Sequence, residues 1–259
     1  DHGGTMRGVA DGQARLSTLR VLTDAALRGE PTGDPAFDGF GVVMRECAIP
    51  HRYAHDLLEG FALDARDWRP RSEADMLRYC YHVAGAVGCM MAVLMGVDPE
   101  DEATLDRACD LGIAFQLANI ARDISEDELA DRCYLPVEWL VEMDMPPGEH
   151  MKPWLRPKLA ILGQRLADMA AAYEDSARHG TGALPARAAW AVLAAAGIYG
   201  DIAREVARRG EHAWDHRVVT PAREKLGWVI RAGRQVPGRA RRWPPRAARA
   251  AGLWTRPTV

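Results

Sequence analysis

An all-α fold is what this sequence predicts: one helical domain over residues 1–259, packed as a bundle of about eight or more helices around a central cavity. Two observations carry that prediction. Wherever apolar residues are periodic they recur at three- and four-residue steps, and nowhere do they alternate with polar ones over strand lengths. Between the periodic segments, glycine and proline clusters punctuate the chain without any internal repeat.

The opening stretch, residues 1–8, contains three of those glycines and reads as a loop. Leu16, Leu19, Leu22 and Leu27 then mark a core-facing helix over residues 13–27. A Gly/Pro break at residues 29–35 leads into a helix through Phe37, Phe40, Val43 and Met44. Ile49-Pro50 closes it, and a third helix starts near His51. Ser72-Glu-Ala-Asp75 supplies an N-cap with an acidic N3 residue and opens a long helix. Gly85 and Gly88 inside that helix each cost roughly 1 kcal/mol of helix propensity against Ala. Close helix–helix packing would offset this, and so would room for a long apolar ligand lined by Val83, Met90, Met91 and Leu94. Asp98-Pro99 reads as N-cap and N1 of the next helix. Residues 137–142 form a short helix, and residues 155–177 a long amphipathic one. Leu184-Pro185 opens another to about Arg208, with Trp190, Leu193 and Ile198 as core.

Composition narrows the function classes. The chain is 48% apolar and 27% charged, ordinary for a protein with one sizeable core, and its net charge of −3 argues against nucleic acid as a partner. Cys47, Cys80, Cys89, Cys109 and Cys133 are odd in number and lack C-x-x-C spacing. That favours reduced thiols and a cytoplasmic location over a disulfide or zinc framework. No secretory signal opens the sequence. The longest apolar run, residues 83–95, is read as too short to cross a bilayer, so a soluble or peripheral protein is expected.

Chemistry concentrates in residues 111–127. On a helix, Asn119, Asp123 and Asp127 stand at i, i+4 and i+8, about 6 Å apart per step on one face, with Gln116 and Arg122 in the same arc. The rest of that helix is apolar (Leu111, Ile113, Phe115, Leu117, Ile120, Ile124). Carboxylates on such a wall ask for a cation, and an all-oxygen set favours Mg²⁺, with Mn²⁺ a chemically similar substitute. Mg²⁺ typically joins one or two carboxylates to substrate phosphates, which Arg122 is suited to hold. A solvated acidic helix end would show the same spacing, and the spacing alone does not choose.

Two neighbouring segments do. Arg132-Cys-Tyr-Leu-Pro136 lies just downstream, and Tyr79-Cys-Tyr-His-Val-Ala-Gly-Ala-Val-Gly-Cys-Met-Met-Ala-Val-Leu94 lies upstream. With the polar stripe they resemble the signature segments of the squalene/phytoene synthase family, nearest to its bacterial phytoene-forming members. The likeness continues through Leu58-Glu-Gly-Phe-Ala-Leu-Asp64, Ala189-Trp190, Ala213-Trp214-Asp215 and Leu253-Trp-Thr-Arg-Pro257.

That resemblance implies an isoprenoid synthase-type bundle and Mg²⁺-dependent, head-to-head condensation of two geranylgeranyl diphosphates to phytoene. The route passes through a cyclopropyl diphosphate and releases diphosphate. The alternatives are the same chemistry on farnesyl diphosphate, or a non-catalytic prenyl diphosphate-binding protein. The resemblance also implies roles. Asn119, Asp123 and Asp127 would be metal ligands, the two aspartates assisting ionisation. Gln116, Arg122, Arg132 and Arg217 would hold diphosphate, and Val83 and Gly88 the prenyl chain. Tyr79, Tyr81 and Tyr199 would shield or steer cationic intermediates. Asp64 is a weaker candidate for the polar end of the cavity. No reduction is implied and no dinucleotide fingerprint is present, so NADPH is not expected.

The family pattern includes an earlier aspartate-rich motif on a facing helix, and neither Asp1 nor Asp11 forms a D-x-x-x-D. The chain is expected to begin in the loop after that motif and, on its own, to turn over feebly. From Arg231 onward the sequence carries eight arginines and no acids, with Trp243 and Trp254 among them. It reads either as a solvated tail or as a peripheral attachment to anionic lipid at the inner face of the cell membrane, with tryptophans at the interface. No feature specifies an oligomeric state.

Overall fold

The computed structural model describes the backbone of residues 3–257 and the side chains of residues 11–257. Among the described residues every regular element is helical, and no strand occurs. The succession is α1 (Gly3–Arg28), α2 (Pro35–Glu46), α3 (Arg52–Asp64), α4 (Glu73–Cys80), a π-helical turn (Tyr81–Gly85), α5 (Ala86–Leu94), α6 (Glu102–Leu129), α7 (Val137–Glu142), α8 (Arg156–Gly180), α9 (Ala186–Arg209), α10 (Ala222–Gln235) and α11 (Arg239–Arg242). Helix α6 is the axis of the bundle, packed against α5, α8 and α9. Its Leu105, Ile113 and Leu117 are fully buried with Leu159, Leu162 and Leu166 of α8 and Leu193 of α9.

The expected loop at residues 1–8 is helix from Gly3 onward: local glycines did not outweigh continuation of the amphipathic α1, and Asp1 lies outside the described residues. Helix α6 starts at Glu102, not after Asp98. Asp98 closes its own turn by accepting from the Glu100 N–H (2.9 Å), and Asp101 is the cap, accepting from the Thr104 N–H (3.1 Å) and hydroxyl (2.7 Å). Trp190, expected in the core, is 41% exposed; its indole N–H donates to the Val229 carbonyl of α10 (2.7 Å), so it fastens a surface helix.

The Ser72 cap is a full capping box. Its hydroxyl accepts from the Asp75 N–H (3.2 Å), and the Asp75 carboxylate accepts from the Ser72 N–H (3.3 Å). Ser72→Ala is expected to cost about 1 kcal/mol, read as a lower urea midpoint with unchanged slope. The helical path from Glu73 to Leu94 is long and apolar enough to cross a membrane by length and composition, beyond the expectation of a run too short to span. It lies at the heart of the bundle, with Met76, Cys80 and Cys89 fully enclosed.

Of the two readings for Gly85 and Gly88, the structure supports close packing. A Cβ on Gly85 would stand 2.9 Å from the Cys109 sulfur, and one on Gly88 would press into the Ala108 carbonyl. Across the contact, Gly112 of α6 lies against the Ala84 carbonyl and Gly85. Gly88 nevertheless also borders the cavity described below, so the two readings are compatible.

The C-terminal stretch is no simple solvated tail. Trp243 is buried at 6% exposure, Trp254 packs near the Tyr81 ring (5.6 Å), and Arg256 is 2% exposed. Trp243 is thus enclosed by the protein, and Trp254 is partly covered by it. Arg231, Arg234, Arg241, Arg242 and Arg246 remain exposed.

Candidate active site

A cavity of about 470 Å³ runs beside α6, between α5 on one side and α8–α9 on the other. Along α6 its wall extends from Thr104 and Arg107, through Ala108, Leu111, Gly112 and Phe115, to Gln116 and Asn119. Val83, Val87, Gly88, Met91 and Met95 face it from the α4–α5 path, and Val192, Ala195 and Tyr199 from α9. The wall is therefore apolar through its middle and polar at both ends, at Gln116 and Asn119 on one side and at Thr104 and Arg107 on the other.

Beyond that mouth the stripe continues down the same face of α6. Asp123 receives the guanidinium of Arg122 (2.6 Å from Nε) and that of Arg217 (2.9 Å from Nη2), and Arg217 also lies 3.5 Å from Glu126. Burial opposes ionisation of Asp123, but these two arginines outweigh it and hold its carboxyl below the ordinary carboxylate range. Asp127 differs. Burial, then the neighbouring Asp123 charge, push its carboxyl up to about 6, with Arg132 acting in the opposite direction. Neither Asp127 nor Asn119 makes a side-chain hydrogen bond among the described residues.

Next to Asp127, residues distant in sequence converge. The Asp64 carboxylate at the end of α3 accepts from the Tyr79 hydroxyl (3.1 Å) and the Tyr134 hydroxyl (2.9 Å). Trp68, Tyr79 and Tyr134 stack in a row, with ring centroids 5.8 and 4.8 Å apart. Arg132 lies 3.5 Å from the Tyr134 hydroxyl. Burial first, then the Asp64 charge, raise the Tyr79 phenol well above its usual value, so it stays a neutral donor. At the cavity mouth Tyr199 stacks on Phe115, centroids 4.1 Å apart, and presents an aromatic face to the lumen.

The structure thus brings together Gln116, Asn119, Asp123, Asp127, Arg122, Arg132, Arg217, Tyr79, Tyr199, Val83 and Gly88. Tyr81 is set apart. Residues two apart on a helix point to opposite sides. Tyr81 accordingly turns away from the cavity, donates to Asp56 (2.5 Å) and is 1% exposed. Trp68, Tyr134 and Phe115 were not singled out by sequence. Tyr134 sits inside the Arg132–Pro136 segment, and that was the available signal.

The donor set fits a hard divalent cation. All the candidate ligands are oxygens, and Asp127 is a half-buried carboxylate without a hydrogen-bond partner. Among the described residues no group of three or more His, Cys, Asp or Glu side chains could enclose an ion. Such an ion would complete its shell from a phosphate, as Mg²⁺ usually does.

An apolar tunnel opening onto carboxylates and guanidiniums, on a helix-only scaffold, is shaped for a long apolar chain bearing an anionic head. Comparison with known proteins agrees. The squalene/phytoene synthase family matches residues 4–224, and this chain belongs to that family. It is 45% identical over 259 residues to the phytoene synthase of Pseudescherichia vulneris, covering 99% of this chain and 82% of the relative. It is 45% identical over 246 residues to the 15-cis-phytoene synthase of Pantoea ananas, covering 95% and 78%. Among solved structures, a dehydrosqualene synthase in complex with ligand superposes with a TM-score of 0.80 at 25% identity, over 88% of this chain and 80% of that one.

Proposed function

We propose that this chain is a phytoene synthase, joining two geranylgeranyl diphosphates head to head through a cyclopropyl diphosphate to phytoene and releasing diphosphate. The observation that carries the substrate choice is the depth of the cavity. From Asn119 to Thr104 its wall spans fifteen residues of α6, about 22 Å at the helical rise. An extended geranylgeranyl chain of sixteen main-chain carbons is about 18 Å long at about 1.2 Å of advance per bond. A farnesyl chain is about 5 Å shorter on the same scale and would leave the inner end unfilled.

Binding places the diphosphate over the polar stripe. Arg122 and Arg217 can exchange Asp123 oxygens for phosphate oxygens, with Arg132 and Gln116 completing the grip. Asn119, Asp123 and Asp127 would hold the divalent cation. When bound, that ion neutralises charge on the leaving diphosphate. The stacked Phe115–Tyr199 pair lines the lumen where the allylic cation forms, and aromatic faces stabilise it without offering a nucleophile. Tyr79 and Tyr134, fixed on Asp64, keep their hydroxyl protons directed at that carboxylate. The surrounding apolar wall excludes water that would quench the cation. The exposed arginines from Arg231 to Arg246 support peripheral attachment to anionic lipid, which suits a hydrocarbon product.

The test is product analysis of protein expressed from its complete reading frame, given Mg²⁺ and either the C20 or the C15 diphosphate, without NADPH. Phytoene from the C20 substrate is expected. Hydrocarbon from the C15 substrate alone would replace this reading with a dehydrosqualene-type reaction. Tight binding with no hydrocarbon from either would leave a prenyl diphosphate-binding protein.

A further inference from the structure

Behind the inner end of the cavity lies a second polar stripe on α6. Glu102, Asp106 and Asp110 stand at i, i+4 and i+8, the spacing of the catalytic stripe half a helix away, and apart from Arg52 of α3, 3.3 Å from Glu102, the arginines that pair with them come from the C-terminal segment. Arg249 donates to Asp110 from Nε (2.9 Å) and Nη2 (2.6 Å). Arg256, with no exposed side-chain surface, lies 2.8 Å from Asp106 and also pairs with Glu102. The segment bearing them is folded around Arg249, which also donates to the Trp254 carbonyl (2.7 Å) and the Thr255 hydroxyl (3.1 Å). Its Trp254 N–H donates to the Tyr173 hydroxyl of α8 (2.9 Å).

One residue connects this knot to the lumen. Arg107 borders the inner end of the cavity and is only 6% exposed. Its guanidinium donates to the Ser176 hydroxyl (2.6 Å) and to the Ala247 carbonyl of the C-terminal segment (2.7 Å). The Ser176 hydroxyl in turn donates to Asp110 (2.5 Å), the carboxylate that Arg249 neutralises. One turn of α6 before the cavity ends at Thr104, its wall therefore carries a charged, hydrogen-bonded group. Making room for a longer alkyl chain there means breaking the hydrogen bonds of a buried charged group, which is costlier than displacing an apolar side chain.

We propose that Arg107 sets the upper limit on prenyl chain length, and that the C-terminal segment, through Arg249 and Arg256, is the latch that holds it in place. This rests on the reading that the cavity takes the prenyl chain of a diphosphate substrate. On the axial scale used above, Arg107 is twelve residues from Asn119, about 18 Å along α6, level with the last isoprene unit of a C20 chain. A C25 chain, about 5 Å longer, would have to pass it. A C15 chain never reaches it. Arg107 is thus a specificity residue that would touch the end of the substrate, whereas Arg249 and Arg256 are positioning residues.

The experiment uses protein from the complete reading frame and unreactive thiolodiphosphate analogues carrying C15, C20 and C25 chains. Dissociation constants are read by quenching of tryptophan fluorescence. Wild type is expected to bind C25 about a hundredfold more weakly than C20. In Arg107→Met and in Arg249→Gln that gap should shrink to about tenfold or less, while C15 affinity stays unchanged. If Arg107→Met fails to fold, Arg249→Gln, which lies outside the cavity, carries the test, with Arg107→Lys as a charge-retaining control that keeps the wild-type gap. Equal C20 and C25 binding by wild type would overturn the proposal, as would parallel weakening of all three ligands in the variants. Failure of the functional reading looks different: no hydrocarbon from wild type with either substrate. Phytoene formation with a C25 gap untouched by these substitutions would sink the latch alone.

Discussion

Asp127→Asn is expected to lower turnover by about a hundredfold to a thousandfold while making the protein more stable at neutral pH. The two effects share one cause. Asp127 is a half-buried carboxylate that no side chain hydrogen-bonds among the described residues, and its proton is held up to about pH 6 by burial and by Asp123. Its ordinary value is 3.8, so between about pH 4 and 6 the native state binds more protons than the unfolded one. Stability therefore falls as pH rises through that window and stays lower above it. The neutral amide escapes this, so the variant should melt higher at pH 7, with the difference vanishing below about pH 4. The gain is on the order of 1 kcal/mol after allowing for solvent screening of a partly exposed group. Turnover moves the other way because an amide is a poorer ligand for a divalent ion than a carboxylate. In wild type the affinity of the metal-free protein for the divalent ion should also weaken on the acid side of about pH 6, as Asp127 takes up its proton. Melting curves at pH 4 and 7, turnover at pH 7 and Mg²⁺ titrations at pH 5 and 7 check all three. Turnover within tenfold of wild type, or a lower melting point at pH 7, would remove Asp127 from the site.

That stripe was legible because it is local. Three polar residues at i, i+4 and i+8 on an apolar helix share a face whatever the tertiary fold, and most of the helices were readable for the same reason. Convergence between elements was not legible. Nothing in the spacing of Asp64, Trp68, Tyr79 and Tyr134 tells that one carboxylate takes both phenols, since the hydroxyls meet only after α3, α4 and the segment before α7 pack together. Tyr81 shows the opposite error: proximity in sequence suggested a shared role with Tyr79, yet a two-residue offset on a helix separates the side chains.

The C-terminal arginines carry the same lesson about charge. A run of eight arginines without acids looks solvated when its partners lie more than a hundred residues upstream. Arg249 and Arg256 pair with Asp110, Asp106 and Glu102, an acidic stripe with the same periodicity as the one that was noticed. Helix starts failed for a different reason. Asp98 and Asp101 are both good caps, and the choice between them depends on where the preceding turn closes.

Gly112→Ala is expected to be the most destabilising single methyl in the chain, lowering stability by about 3 kcal/mol. A Cβ at this position would stand 2.7 Å from the Gly85 Cα and closer still to the Ala84 carbonyl. Those are backbone atoms of the π-helical turn that leads into α5, so no rotamer change relieves the clash and that turn, with α5, must move off α6. For a chain of this size the melting point should fall by roughly 10 °C. The same displacement shifts Val83 and Gly88 relative to Phe115 and Asn119, which face one another across the cavity. Affinity for a prenyl diphosphate should therefore fall in the fraction that remains folded. Gly39→Ala is the control. It lies within α2 with nothing within 4 Å of the added carbon, so it should raise stability by up to about 1 kcal/mol. Equal, small effects of the two substitutions would mean that the α5–α6 contact is looser than its glycines imply. A large loss at Gly112 alone ties the intimacy of that helix pair to the shape of the cavity beside it.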